Sequence, residues 1–437
     1  MNKTDIKITE TKSDFLSKSR KIKSPFWRKF VTFMMVFGPG IIVMEADNDA
    51  GAVSTYTQAG AIYGMNLLWI LVLLLPVTYF CQEMVVRLGI ATGKGHASMI
   101  YKRFGKWWGR FSLFDLELVN FFTLVTEFAA ISLAFSKMGV SPYISVPVGA
   151  VSLIFLVASG NYLRWERIVV FLCLLDIVWI YLMFRAQPNG VEVVQNFVPN
   201  IPHGGITSDL IFMIIAIVGT TVAPWQLFFQ QSIVADKKLR FKDLKWARLD
   251  TFIGAVFTVI VAGCMMLVGN IMHQKGITYT DPAQMSEALL PILGHTAKYL
   301  LLMLMVNAAV LGTIAISLSS AFAYSEVAGW NHSLQRKFKE AKGFYSVYIV
   351  AVILAAAIVL IPKAPLQVII VGVQVLAGVM LPSAIIFLQL LLNDKELLGD
   401  RFVNKNWNNW INWVVIIILF ILSFILAGQI LLPEVFK

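Results

Sequence analysis

Three carboxylates stand close together in the stretch MEADNDAGAV: Glu45, Asp47 and Asp49. The chain around them is apolar, with FVTFMMVFGPGIIV before and STYTQAGA after. Glu127 and Asp176 lie deep in two further apolar runs, Asp115 and Glu117 stand at the start of one, and Glu83 and Glu326 near the ends of others. A charge at the centre of a bilayer costs at least about 2.5 to 3.5 kcal/mol on insertion scales, so acids placed there without bases need a compensating cation. The deep positions carry no Lys or Arg, and no His: His96, His203 and His332 fall in loops, His273 and His295 at the edges of apolar runs. Oxygen is therefore the ligand type on offer, which suits hard ions such as magnesium, calcium and manganese over zinc, copper and iron. Cys81, Cys173 and Cys264 read as small core residues, and Met213, Met265, Met266, Met303 and Met305 as apolar filler. No nucleophile and base are spaced for covalent catalysis, so an enzyme is not expected, nor is a resident cofactor.

The elements that must hold these acids are membrane helices. Of 437 residues 58% are hydrophobic and 14% charged, and the mean hydropathy is +0.74, outside the soluble range. Crossing about 30 Å of hydrocarbon takes roughly 20 residues. Eleven runs qualify, at about 31–57, 63–86, 112–136, 143–160, 166–184, 209–234, 250–272, 297–325, 344–362, 365–391 and 409–432. Residues 1–29 are polar and basic, which predicts a cytoplasmic tail and no cleavable leader; residues 30–437 are expected to form a single transmembrane domain. Sorted by the loops these runs create, 30 of the 36 Lys and Arg fall on the side of the N-terminus and six on the other. Basic residues favour the cytoplasm, so the N-terminus is expected inside and the C-terminus outside a plasma membrane. The net charge of +11 is then a matter of topology, and nucleic acid is not an expected partner.

Two of the runs look broken. The first carries Gly38-Pro39-Gly40 and Gly51, and the sixth, VGTTVAPWQLFFQQS, has Gly219, two threonines and Pro224 near its middle. The breaks lie five spans apart, and spans one and six enter the membrane from opposite sides. Two inverted five-helix repeats, each opening with a broken helix, are the pattern of transporters that bind substrate at the midplane. An interrupted helix in lipid is tolerated where its freed backbone lines a protein cavity, and freed carbonyls suit a cation.

These residues together resemble the Nramp divalent-metal transporters. GPGIIVMEADNDAGAVSTYTQAGA is similar to the family's first helix, VGTTVAPWQLFFQQS to its sixth, ARLDTFIG to the start of its seventh, and LPSAIIFLQLLLNDKELLGDRFVN to its tenth. The resemblance covers about residues 30–430 and implies an all-α LeuT-like fold, two inverted repeats of five helices plus an eleventh, and divalent cation transport. The departures narrow this expectation. Where the family has Asp-Pro-Gly-Asn this chain has Asp49-Ala50-Gly51-Ala52, keeping the acid and losing the asparagine. Where it has Met-Pro-His this chain has Ala223-Pro224-Trp225, losing the thioether and the histidine tied to proton movement. Where it has Asp-Leu-Ala-Glu this chain has Leu124-Val125-Thr126-Glu127, losing the proton-accepting acid. Gln374 in GVQVLAGV matches the tenth-helix glutamine near the ion. The set resembles the family's magnesium-transporting branch.

The resulting expectation is uptake of Mg2+, with Mn2+ also taken, as a partly hydrated ion, by alternating access without proton coupling and by a monomer. Asp49 would neutralise the ion, backbone oxygens near Ala46, Ala52, Thr220 and Ala223 would contribute, and Glu127, Gln226 and Gln374 would hold its hydration shell. Asp47 and Glu45 would either deepen the negative field or accept amides freed by the break. Trp225 would fill space, and Asp176 would be a satisfied core acid. The alternatives are a proton-coupled Mn2+ or Fe2+ carrier with rearranged ligands, and a sodium-coupled organic-solute symporter of the same fold.

Overall fold

A computed structural model describes residues 38–158, 162–202, 204–362 and 364–431. The N-terminal tail expected over residues 1–29, and His203, lie outside the described residues. The secondary structure among the described residues is helical throughout. The helices are α1 (Pro39–Glu45), α2 (Ala50–Tyr63), α3 (Leu68–Thr92), α4 (His96–Lys137), α5 (Pro142–Ala158), α6 (Tyr162–Leu175), α7 (Ile177–Ala186), α8 (Gly190–Gln195), α9 (Ser208–Thr221), α10 (Pro224–Asp236), α11 (Leu244–Lys275), α12 (Pro282–Ala288), α13 (Leu290–Leu293), α14 (His295–Ala328), α15 (Lys342–Val359), α16 (Leu366–Leu392), α17 (Lys395–Phe402) and α18 (Asn406–Leu431). Nine spans among the described residues are long and apolar enough to cross a membrane. The shorter α5 and the interrupted pair α1–α2 account for the fourth and first of the eleven expected runs.

Both expected breaks are present, although Gly38-Pro39-Gly40 opens α1 and does not itself interrupt the first run. At the first, α1 ends at Glu45 and α2 begins at Ala50, with Asp49 in extended conformation as the cap residue. At the second, α9 ends at Thr221, Val222 and Ala223 leave the helical region, and Pro224 opens α10. Proline disfavours the α conformation of the residue before it and supplies no N–H of its own, so the chain is straightened at Ala223 and can start a new helix at once. A third interruption separates α6 from α7 at Asp176, whose backbone stays near helical values. Shorter-range bonds bracket it, Asp176 N–H to the Cys173 carbonyl at 3.3 Å and Trp179 N–H to the Asp176 carbonyl at 3.0 Å. The third expected span, 112–136, is the end of a longer element: α4 runs from His96 and turns at Gly105, whose φ of 88° a side chain would resist.

Glycines set how closely the broken helices approach their neighbours. A Cβ on Gly60 would lie 2.0 Å from the Met266 carbonyl oxygen, and one on Gly269 2.2 Å from that of Thr57, so α2 and α11 meet backbone to backbone. A Cβ on Gly219 would lie 2.0 Å from the Gln374 carbonyl oxygen and 2.4 Å from the Gly378 nitrogen, which brings α9 equally close to α16. Small residues at such contacts are how membrane helices gain packing without a hydrophobic driving force between them. The start of α1 is held differently. Asp250 on α11 accepts from the backbone N–H groups of Gly38 at 3.3 Å, Gly40 at 2.7 Å and Ile41 at 3.4 Å, satisfying donors that the helix cannot.

Candidate metal-ion site

The two breaks face α4, α14 and α16 in the middle of the bundle, and the residues expected from the sequence meet there. Asp49 caps α2, its Oδ1 accepting from the Ala52 N–H at 2.8 Å. Glu127, from α4, reaches the same helix end and accepts from the Ala50 N–H at 3.1 Å. Gln374 closes the cluster from α16: a Cβ on Gly51 would stand 1.7 Å from its Nε2 and 3.0 Å from Asp49 Oδ1. On the α14 side, a Cβ on Gly312 would stand 2.7 Å from the Glu127 carboxylate and 2.9 Å from Asp49 Cβ. Gly51 and Gly312 thus leave the room in which two carboxylates and an amide converge, and all three side chains are buried.

Both breaks contribute neighbouring polar groups. Asp47 is buried between Asp49 and Gln226, and its Oδ2 has no hydrogen-bond partner among the described residues. Gln226 Oε1 accepts from Gln82 Nε2 at 2.8 Å, which leaves its Nε2 to face Asp47, while Gln374 Nε2 is unpartnered among the described residues. Thr220 is buried with an unpartnered hydroxyl. The Ala223 carbonyl accepts from the Gln226 N–H at 3.2 Å, which leaves one lone pair of that oxygen. Ala46 ends α1, where the last carbonyls of a helix have no helical donor, while Ala52 spends its N–H on Asp49 within the first turn of α2. Buried polar atoms without partners are uncommon in native proteins and call for a ligand or water.

Several of these relations are not visible in the sequence. The amide freed by the first break goes to Glu127 and not to Glu45 or Asp47. Glu45 instead accepts from the Thr258 hydroxyl at 2.8 Å and the Asn48 amide at 3.4 Å. Asp176 is held on one oxygen only, by Asn307 Nδ2 at 3.0 Å, and its Oδ2 is unpartnered. Trp225 is fully buried, with its indole N–H unpartnered among the described residues and its ring 6.4 Å from that of Phe229. Tyr56 and Thr221 tie the two broken helices together through a hydroxyl pair at 2.7 Å. Tyr56 follows Asp49 by two helical turns and so shares its face, a signal available from spacing alone; Gln82 and Gly312 carry none. The ion pairs of the described residues all lie elsewhere and touch none of Glu45, Asp47, Asp49, Glu127 or Asp176.

The family model for natural resistance-associated macrophage protein-like (Nramp) proteins matches residues 40–429. The chain belongs to the Nramp family. Nramp proteins are transporters, so this chain is not an enzyme. Among its Nramp relatives is the divalent metal cation transporter MntH of Staphylococcus haemolyticus, 26% identical over 409 residues, with 87% of this chain and 88% of that protein covered. MntH of Lacticaseibacillus casei is 25% identical over 435 residues, covering 93% and 91%. In three dimensions the Nramp chain matches the manganese transporter of Eremococcus coleocola with a TM-score of 0.78 at 19% identity, over 94% of this chain and 90% of that one. MhsT bound to L-phenylalanine and a Na+-coupled sialic acid symporter each match with a TM-score of 0.57 at 13% identity, the first over 88% and 98% of the two chains and the second over 95% and 92%. The expected LeuT-like arrangement is therefore the observed one.

Proposed function

We propose that this Nramp protein carries Mg2+, and with it Mn2+, across the plasma membrane as a partly hydrated ion, by alternating access and without proton coupling. The observation that carries the reading is the composition of the central cluster: Asp49, Glu127 and Gln374 converge around Gly51 and Gly312, with no sulfur or imidazole among them. Oxygen donors of this kind favour hard cations. Magnesium gives up its water reluctantly, and a site with few direct carboxylates and an unpartnered amide and hydroxyl, on Gln374 and Thr220, suits an ion that keeps part of its shell. Asp49 would carry the compensating charge, with oxygens of Ala46, Ala223 and Thr220 beside it, Glu127 and Asp47 deepening the field, and Ala52 shaping the first turn of α2. Residues 30–437 would act as one transport domain in a monomer, with the lipid bilayer as its surroundings.

A second reading, Mn2+ transport coupled to protons, is favoured by the names of the relatives, which are a divalent metal cation transporter and a manganese transporter. Proteoliposomes separate the two. Magnesium flux without lumenal acidification is the expected result; absence of magnesium flux together with acidifying manganese flux would establish the second reading instead. Metal flux that does not require sodium would exclude a sodium-coupled solute symporter.

A further inference from the structure

The geometry points to a binding site for the phosphate headgroup of an anionic phospholipid, away from the ion site, where α3, α11, α17 and α18 meet. A cavity of about 290 Å³ opens there, and its lining includes four cationic side chains and one carboxylate, Glu83. It lies at the end of the bundle where basic residues concentrate.

Two of the cations form its frame. Arg87 is buried, bonding Glu83 through Nε at 3.2 Å, the Phe402 carbonyl at 2.5 Å and Asn404 Oδ1 at 2.6 Å. Arg248 bonds Glu83 at 2.6 Å yet keeps its side chain 45% exposed. One carboxylate thus serves two guanidinium groups, and a unit of positive charge is left over before Arg401 and Lys405 are counted. Arg401 is fixed over the Phe241 ring, its guanidinium carbon 3.3 Å from the ring centroid, an attraction that orients the group without neutralising it. The excess of three positive charges in one cleft is complementary to phosphate, which arginine binds through paired donors.

The rest of the rim selects an amphiphile over a free ion. Tyr79 and Trp407 line the same cavity, and Phe80 packs edge-on against Trp407 with centroids 5.4 Å apart. Trp407 and Phe252 are exposed, on spans long and apolar enough to cross a membrane, and Phe252 meets the cavity-lining Tyr79 edge-on with centroids 5.5 Å apart. Amphipathic aromatics mark the level of the headgroups, and basic pockets between membrane helices on the cytoplasmic side are suited to anionic headgroups.

The test uses the full chain purified in detergent, with melting temperature and native mass spectrometry as readouts. Phosphatidylglycerol is expected to raise the melting temperature and remain as a discrete adduct, where phosphatidylcholine does neither. Arg401→Gln with Lys405→Gln is expected to weaken phosphatidylglycerol retention by roughly tenfold or more, at about 1 kcal/mol per basic residue, and to leave the melting temperature in phosphatidylcholine unchanged. Equal retention of the two lipids by the unaltered protein would overturn the proposal without any variant being needed. So would a phosphatidylglycerol effect reproduced by inorganic phosphate alone, which would make the cavity a site for a soluble anion.

Discussion

At the scale of single residues, the site rests on a charge and on an omission. Asp49 is the carboxylate fixed at the break, its Oδ1 committed to the Ala52 N–H at 2.8 Å. Asp49→Asn keeps shape and volume but removes the charge. In a partly screened interior that interaction is worth several kcal/mol, so Mg2+ flux into vesicles is expected to fall on the order of a hundredfold or more. Retained flux would mean that the ion is neutralised elsewhere. The omission is at Ala223, where a methyl group stands at the second break. Ala223→Met returns a soft, polarisable donor and fills space that water would occupy, and the ratio of Mn2+ to Mg2+ uptake is expected to rise on the order of tenfold. An unchanged ratio in a competition assay would show that Ala223 does not face the ion. Asp49 and Ala223 could be singled out from the sequence because each is a type read against a known pattern. The role of Glu127 as acceptor for the Ala50 amide could not, because it depends on where α4 passes the end of α2.

At the scale of elements, the site is as good as the contact that holds α9 against α16. A methyl group on Gly219 would meet backbone atoms of Gln374 and Gly378, and backbone cannot swing aside as a side chain can. Gly219→Ala is therefore expected to push the two helices apart, lower stability by about 1 to 3 kcal/mol and displace Gln374 from the cluster, so that thermal stability and flux fall together. Gly372, on the same helix as Gln374, has open space where a methyl group would stand, with nothing within 4 Å. Gly372→Ala is expected to be neutral or to stabilise by up to about 1 kcal/mol through helix propensity. If the two variants melt alike, the close approach of α9 and α16 is wrong. The element breaks divide in the same way between legible and hidden. The one at Ala223 is announced by Pro224, whose backbone limits act locally, whereas at Asp49 the Gly38-Pro39-Gly40 signal opens α1 and the interruption itself, residues 46–49, holds neither Gly nor Pro. The interruption at Asp176 sits in LCLLDIVWIY, which has neither residue, and the acid is bonded there by Asn307 from α14. Asp250 is visible at the start of the seventh span, but its bonds to Gly38, Gly40 and Ile41 cross more than two hundred positions of sequence.

At the scale of the whole molecule, direction of transport depends on which end faces the cytoplasm. By the loops expected from the sequence, thirty of the 36 Lys and Arg fall on one side, and we infer from that bias that this side faces inward. The native cysteines make this open to measurement. Cys81, Cys173 and Cys264 are all buried, so an impermeant maleimide is expected to leave the unaltered protein unlabelled in intact cells. Single cysteines can then be placed at exposed positions on opposite ends of the bundle. Glu192 lies on α8, between the fifth and sixth spans, and Lys242 lies in the short turn before α11; both are exposed. Glu192→Cys is expected to react from outside intact cells, and Lys242→Cys only after the membrane is opened. The reverse pattern would turn the molecule over, and would place the Arg401 and Lys405 cleft in the outer leaflet, where an anionic headgroup would have to be supplied from outside the cell. Labelling of both sites in intact cells would show that one of them lies in a path open to water across the membrane. The two positions therefore fix the orientation of the transport cycle and the leaflet of the lipid site in one experiment.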